Sequence, residues 1–195
     1  MRRRTFIAGL GSAAAWPLAA RAQQAAMPVI GWLHVGSPAT FEGQLPQFLQ
    51  DLDALGHGVG RNVAIEFRWA ENQFDRLPAM AAELVSQQVA VLSAIGLPAA
   101  IAAKAATARI PIVFTMGEDP VRVGLVTSLN RPGGNITGFT SFSNVMYGKK
   151  LQLLREIAPN AKTIAFLVNS SHPTAPSARA AVPETLLATA DEVIQ

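Results

Sequence analysis

The chain has 195 residues, half of them hydrophobic and 15% charged, with no cysteine. That is enough apolar material for one large domain or two small ones, and it excludes disulfides, thiolate metal sites and cysteine nucleophiles. The formal charge of +3 belongs to the N-terminus: residues 1–22 hold four arginines and no acid, so without them +3 becomes −1, and the rest gives no electrostatic case for nucleic-acid binding.

Arg2-Arg3-Arg4 is a basic n-region, Phe6 to Ala20 is an Ala/Gly-rich apolar stretch too short to span a bilayer, and Ala20-Arg21-Ala22 is a small-x-small cleavage site. Together they predict a signal peptide over residues 1–22, cleaved after Ala22. Arg3-Arg4-Thr5-Phe6-Ile7 fits a twin-arginine pattern, which implies delivery to the periplasm and no stable membrane insertion after cleavage.

The first strand is expected at Val29–Leu33, closed by the loop His34–Pro38. An amphipathic helix follows, with Leu45, Phe48, Leu49, Leu52 and Leu55 at helical spacing and Gly56 at its end. Val63, Ile65, Phe67 and Trp69 alternate with Ala64, Glu66 and Arg68, which predicts a second strand. Asp75 is placed to cap a helix running to about Gln88. A third strand, Val89–Ala94, leads through Gly96 into a helix from Pro98 to Ala108, with proline suited to its first turn.

The fourth strand is the continuous apolar run Ile110 to Phe114, of the kind buried on both faces of a parallel sheet. It stops at Thr115 and gives way to Gly117-Glu118-Asp119-Pro120. In an open parallel sheet, ligands bind just outside the carboxyl ends of the strands. The plain alternative is a turn that merely ends a strand. A short helix is expected over Val121–Leu129, a turn at Arg131–Asn135, a strand or crossing segment at Ile136–Thr140, a helix over Met146–Ala158 and a further buried-type strand at Thr163–Val168.

This β-α-β-α rhythm with short loops predicts an α/β fold: a Rossmann-like parallel sheet with helices on both faces. No Gly-x-Gly-x-x-Gly follows the first strand and there is no P-loop, so dinucleotides and nucleoside triphosphates are disfavoured. His34, His57 and His172 lack metal-ligand spacing. No cofactor or metal is expected. An enzymatic reading would have to use Glu118 and Asp119 with His34, but neighbouring acids in a turn more often point apart, and no nucleophile motif supports hydrolysis. Trp32 and Trp69 read as packing residues, His57 as a turn residue, and Lys149 and Lys150 as a solvated helix face.

Met27-Pro-Val-Ile-Gly31, Asn62-Val-Ala-Ile-Glu66, Asp75-Arg-Leu-Pro78, Ile110-Pro-Ile-Val-Phe114, Gly124-Leu-Val126 and Leu129-Asn-Arg-Pro-Gly-Gly-Asn135 occur in order and in register. With the leader Ala14–Gln24 and the run Thr163–Val168, the chain resembles the periplasmic substrate-binding proteins of ABC transporters, in the branch that includes tryptophan-binding-like lipoproteins. The resemblance implies two lobes joined by crossing segments, closure on a small solute such as an amino acid, a membrane permease as partner, and no catalysis. On this chain, the first lobe would span residues 23–138, with the crossing segment, a second-lobe fragment and the tail over 139–195. The resemblance puts Ser37, Leu97, Pro98, Ala99, Thr115, Gly117, Glu118 and Asp119 on the first-lobe side of the ligand cleft. Ser141, Phe142, Asn144 and the loop Asn169-Ser170 would face them. Many members carry threonine where this chain has Leu97, so one hydroxyl open to a ligand carboxylate is absent here. The tail Val182–Gln195 resembles the extreme C-terminus of full-length members, yet it follows the run Thr163–Val168 almost directly. The second lobe is therefore expected to be largely missing.

Overall fold

The computed structural model describes residues 27–143 and 146–161. The signal over 1–22, the strand at 163–168 and the C-terminal tail all fall outside these residues. Five strands form one sheet: β1 (Val29–His34), β2 (Ala64–Trp69), β3 (Val91–Ile95), β4 (Ile112–Met116) and β5 (Ile136–Thr140). Their order is β2-β1-β3-β4-β5, and every neighbouring pair is parallel. The helices are α1 (Pro38–Phe41), α2 (Leu45–Ala54), α3 (Leu77–Ser86), α4 (Leu97–Ala106) and α5 (Tyr147–Ile157).

Alternation along the strands divides the sheet into two faces. One carries Leu33, Leu92, Ala94, Ile112, Phe114 and Met116, all buried in the core, where α3 and α4 supply Leu77, Leu84, Ala99, Ala100 and Ala103. The alanines of α4 let that helix sit close to the sheet. Gly31 belongs to the same packing, since a Cβ there would come within 3.1 Å of Leu92 Cδ2.

The other face is covered over β1 and β2. Trp32 is buried and packs on Phe48 of α2 with ring centroids 4.8 Å apart, on Phe41 of α1 at 5.2 Å and on Phe67 at 6.0 Å. Such ring pairs add to area burial. Trp32 is thus a packing residue, as its sequence context suggested.

Three expectations are corrected. Asp75 does not cap α3; it lies in a 3-10 turn, Phe74–Arg76, and the helix starts at Leu77 with Pro78 in its first turn. No helix forms at 121–129. Instead Asp119 Oδ1 accepts the amides of Val121 at 2.9 Å and Arg122 at 3.2 Å, and the resulting turn ends at Gly124, whose φ is +70°. Pro38, read as the last residue of the loop after β1, instead opens a short helix, Pro38–Phe41.

Candidate functional site

The carboxyl ends of the five strands form one edge, and backbone hydrogen bonds stitch its loops together. Behind β1, the carbonyls of His34, Val35 and Gly36 accept the amides of Ala70, Asn72 and Glu71 at 2.9, 2.7 and 3.0 Å. Val35 donates to Ile95 at 3.3 Å, and Gly96 donates to Thr115 at 2.8 Å. Ser141 donates to the Met116 carbonyl at 3.1 Å, while the Thr140 hydroxyl donates to the Glu118 carbonyl at 2.6 Å. The ends of β1, β2, β3, β4 and β5 are therefore held as one surface.

Ser37 caps the start of α1 at this edge. Its amide donates to Thr40 Oγ1 at 3.2 Å, and that hydroxyl donates back to the Ser37 carbonyl at 2.6 Å. Gly96 has φ +93°, and a Cβ there would meet Val35 Cγ2 at 2.8 Å, so only glycine joins β3 to α4 without strain. Leu97, Pro98 and Ala99 are buried, with Leu97 4% exposed and Ala99 fully covered. Their side chains belong to the core rather than to the edge.

The loop after β4 separates its polar groups. Thr115 is exposed, but its register partner is Phe139, so it stands on the sheet face rather than beyond the strand end. Gly117 is half-buried, and its amide donates to Glu118 Oε2 at 3.2 Å. Glu118 is turned inward and only 8% exposed. Asp119 is half-buried and holds the following turn through Oδ1. The two carboxylates thus take different hydrogen-bond partners, Glu118 the Gly117 amide and Asp119 the amides of Val121 and Arg122.

After β5, Ser141 is exposed and its hydroxyl donates to Ser143 Oγ at 3.0 Å. Phe142 is half-buried with φ +51°, an uncommon backbone state for a bulky residue. The structure brings Ser37, Gly117, Asp119, Ser141 and Phe142 to one edge. Asn144 and Asn169 fall outside the described residues.

Two features escaped the sequence reading. Glu71 and Asn72, at the end of β2, are consecutive left-handed residues with φ +54° and +61°. Beside them, His34, Phe41 and Trp69 form an aromatic group: the His34 ring is 4.9 Å from Trp69 and 5.7 Å from Phe41. The imidazole Nδ1 accepts the Gly36 amide at 2.8 Å, and burial holds its pKa below the usual histidine value. An apolar cavity of about 510 Å³ lies elsewhere, between α3 and α4, lined by Phe74, Leu77, Pro78, Ile101 and Ala102 among others; of the candidate residues it touches only Pro98.

A doubly wound lobe whose binding loops sit at the carboxyl edge is the architecture of a ligand-binding α/β domain. The sequence pattern of the ABC transporter substrate binding protein family matches residues 39–192, so this chain belongs to that family. It is 37% identical over 124 residues to the tyrosine-binding protein of Clostridioides difficile, a match covering 64% of this chain and 35% of that one. A conserved domain protein from Vibrio cholerae superposes with a TM-score of 0.70 at 29% identity, over 84% of this chain and 53% of that one. The ABC domain from Streptococcus pneumonia in complex with L-Trp gives 0.66 at 26% identity, over 85% and 54%. The chain spans between about a third and a half of the length of these relatives.

Proposed function

We propose that this chain supplies the first lobe of an exported solute-binding protein that delivers an aromatic amino acid, or a close relative of one, to an ABC permease. The observation that carries the reading is the single carboxyl edge of Ser37, Gly117, Asp119, Ser141 and Phe142, in a chain of this family, with His34, Phe41 and Trp69 beside it. The tyrosine-binding relative and the L-Trp complex supply the solute class. Polar groups at the edge would orient the solute's charged ends, and the aromatic group would offer ring contacts. Binding proteins of this kind clamp the solute between two lobes. Residues 27–161 by themselves should bind at least about tenfold more weakly than a full-length relative, a difference of about 1.4 kcal/mol.

Isothermal calorimetry with a panel of amino acids and small apolar acids tests this. An aromatic amino acid should give the tightest saturable binding. In a full-length relative carrying these loops, the serine corresponding to Ser37 changed to alanine should weaken it roughly ten- to a hundred-fold if that residue bonds a charged ligand group. Saturation by no member of the panel, in either the chain or the relative, would end the reading.

A further inference from the structure

Val35, Gly36 and Ser37 carry the chain from β1 to α1, and Ser37 stands on the carboxyl edge proposed to meet the solute. Two kinds of bond hold this loop. Towards β2 and β3 the bonds run backbone to backbone: the Val35 and Gly36 carbonyls accept the Asn72 and Glu71 amides, and the Val35 amide donates to Ile95. The buried Gly36 amide instead donates to a side chain, His34 Nδ1, at 2.8 Å. A ring nitrogen that accepts carries no proton, so the neutral ring keeps its proton on Nε2.

Packing links the imidazole to Ser37. A Cβ at Gly36 would lie 2.7 Å from Thr40 Oγ1 and 3.2 Å from His34 Nδ1, so the glycine backbone sits wedged between these two side chains. Thr40 Oγ1 in turn accepts the Ser37 amide and donates to the Ser37 carbonyl. Protonation puts an N–H on Nδ1, opposite the Gly36 amide. Two donors then face each other, and a buried amide without an acceptor is costly, so the loop must shift.

The surroundings of the ring favour its neutral form. Trp69 of β2 and Phe41 of α1 pack on it, and Ile95 of β3 is its register partner. The carboxylates next along these elements, Glu42 after α1 and Glu71 after β2, are exposed. Arg68 belongs to the opposite face of the sheet by alternation, where Glu66 and Glu83 pair with it. Burial is what lowers the His34 pKa, so the ring is neutral at pH 7.

We propose that His34 is a proton-sensitive latch on this loop: the neutral ring holds Gly36 and so positions Ser37, and the imidazolium releases the loop and weakens solute binding in acid. Affinity is full above the folded pKa of His34 and falls as pH drops through it. The effect on solute rests on the function proposed above; the latch itself does not.

Hydrogen exchange read by NMR on the solute-free chain tests the latch. From pH 7.5 to pH 5.0 the protection factor of the Gly36 amide should fall at least about fivefold relative to that of Leu92, which donates to Pro111 within the sheet. In His34→Asn, whose side-chain oxygen can accept but cannot titrate, Gly36 should show no such relative fall. Titration with L-tryptophan and L-tyrosine gives a second readout. The ratio of Kd at pH 5.0 to Kd at pH 7.5 should be at least about twofold larger for the native chain than for the variant, whatever the variant's affinity at pH 7.5. Circular dichroism checks folding, and if His34→Asn does not fold, His34→Gln, equally unable to titrate, takes its place. Gly36 protection that falls no more than that of Leu92, an equal relative fall in the variant, or the same Kd ratio for both chains would overturn the latch. If neither amino acid saturates, the solute reading fails and the exchange result alone decides the latch.

Discussion

His34 stands at the end of β1, half-buried against Phe41 and Trp69, with Nδ1 accepting the Gly36 amide. Burial disfavours the charged imidazolium and lowers its pKa from the ordinary value of about 6.5. Between the folded and unfolded pKa values the unfolded chain binds more protons, so stability rises with pH there. The contribution is complete above about pH 6.5 and is lost as pH falls through the lower, folded value. His34→Asn keeps a hydrogen-bond acceptor but cannot titrate. Thermal melts at pH 7.5 and pH 5.5 should show a larger drop for the native chain than for this variant; equal drops would remove His34 as the cause. None of this environment is visible in the residue itself. It comes from Trp69, thirty-five positions away, and from a short helix that opens at Pro38, the last residue of the loop expected after β1. Ser37 and Asp119 were legible as edge residues because they follow strands. The burial of Leu97, Ala99 and Glu118 was not, since it depends on how closely α4 approaches the sheet and on how the loop after β4 folds inward.

At the scale of elements, β5 docks on β4 through Gly138, whose register partner is Phe114. A Cβ at Gly138 would run into the Phe114 carbonyl oxygen and its ring. A backbone carbonyl inside a sheet cannot move aside as a flexible side chain can. Gly138→Ala should therefore destabilise the lobe by about 1–3 kcal/mol, the usual range for overpacking. Urea denaturation checks this, and an unchanged midpoint would show that β5 is not held at this distance. The strands and the four longer helices were readable from periodicity, to within two residues at most ends. Periodicity failed at 121–129, where only Leu125 and Val126 are buried, without a helix, and Val121, Val123 and Leu129 stay exposed. Asp119 holds a turn there, and Gly124 ends it in the left-handed region. It failed at Asp75 because a 3-10 turn took the place of the cap.

For the whole molecule, the function proposed above is a solute clamp that works outside the cytoplasm, in a chain of the substrate-binding family. On that proposal, the arginine pair at the start of the chain would be the export signal. Replacing Arg3 and Arg4 together by lysine should leave the chain in the cytoplasm, as read by fractionation; undiminished export would point to the general secretory route instead. Among the described residues no helix is long and apolar enough to cross a membrane. The central claim is that the solute meets the carboxyl edge rather than the apolar cavity between α3 and α4. Amide NMR of the chain titrated with L-tyrosine and L-tryptophan tests it directly, because weak binding still moves resonances. Saturable shifts should gather at Ser37, Gly117, Asp119, Ser141 and Phe142. Shifts gathered instead at Phe74–Pro78 and Ile101–Ala106, or none that saturate, would contradict the account.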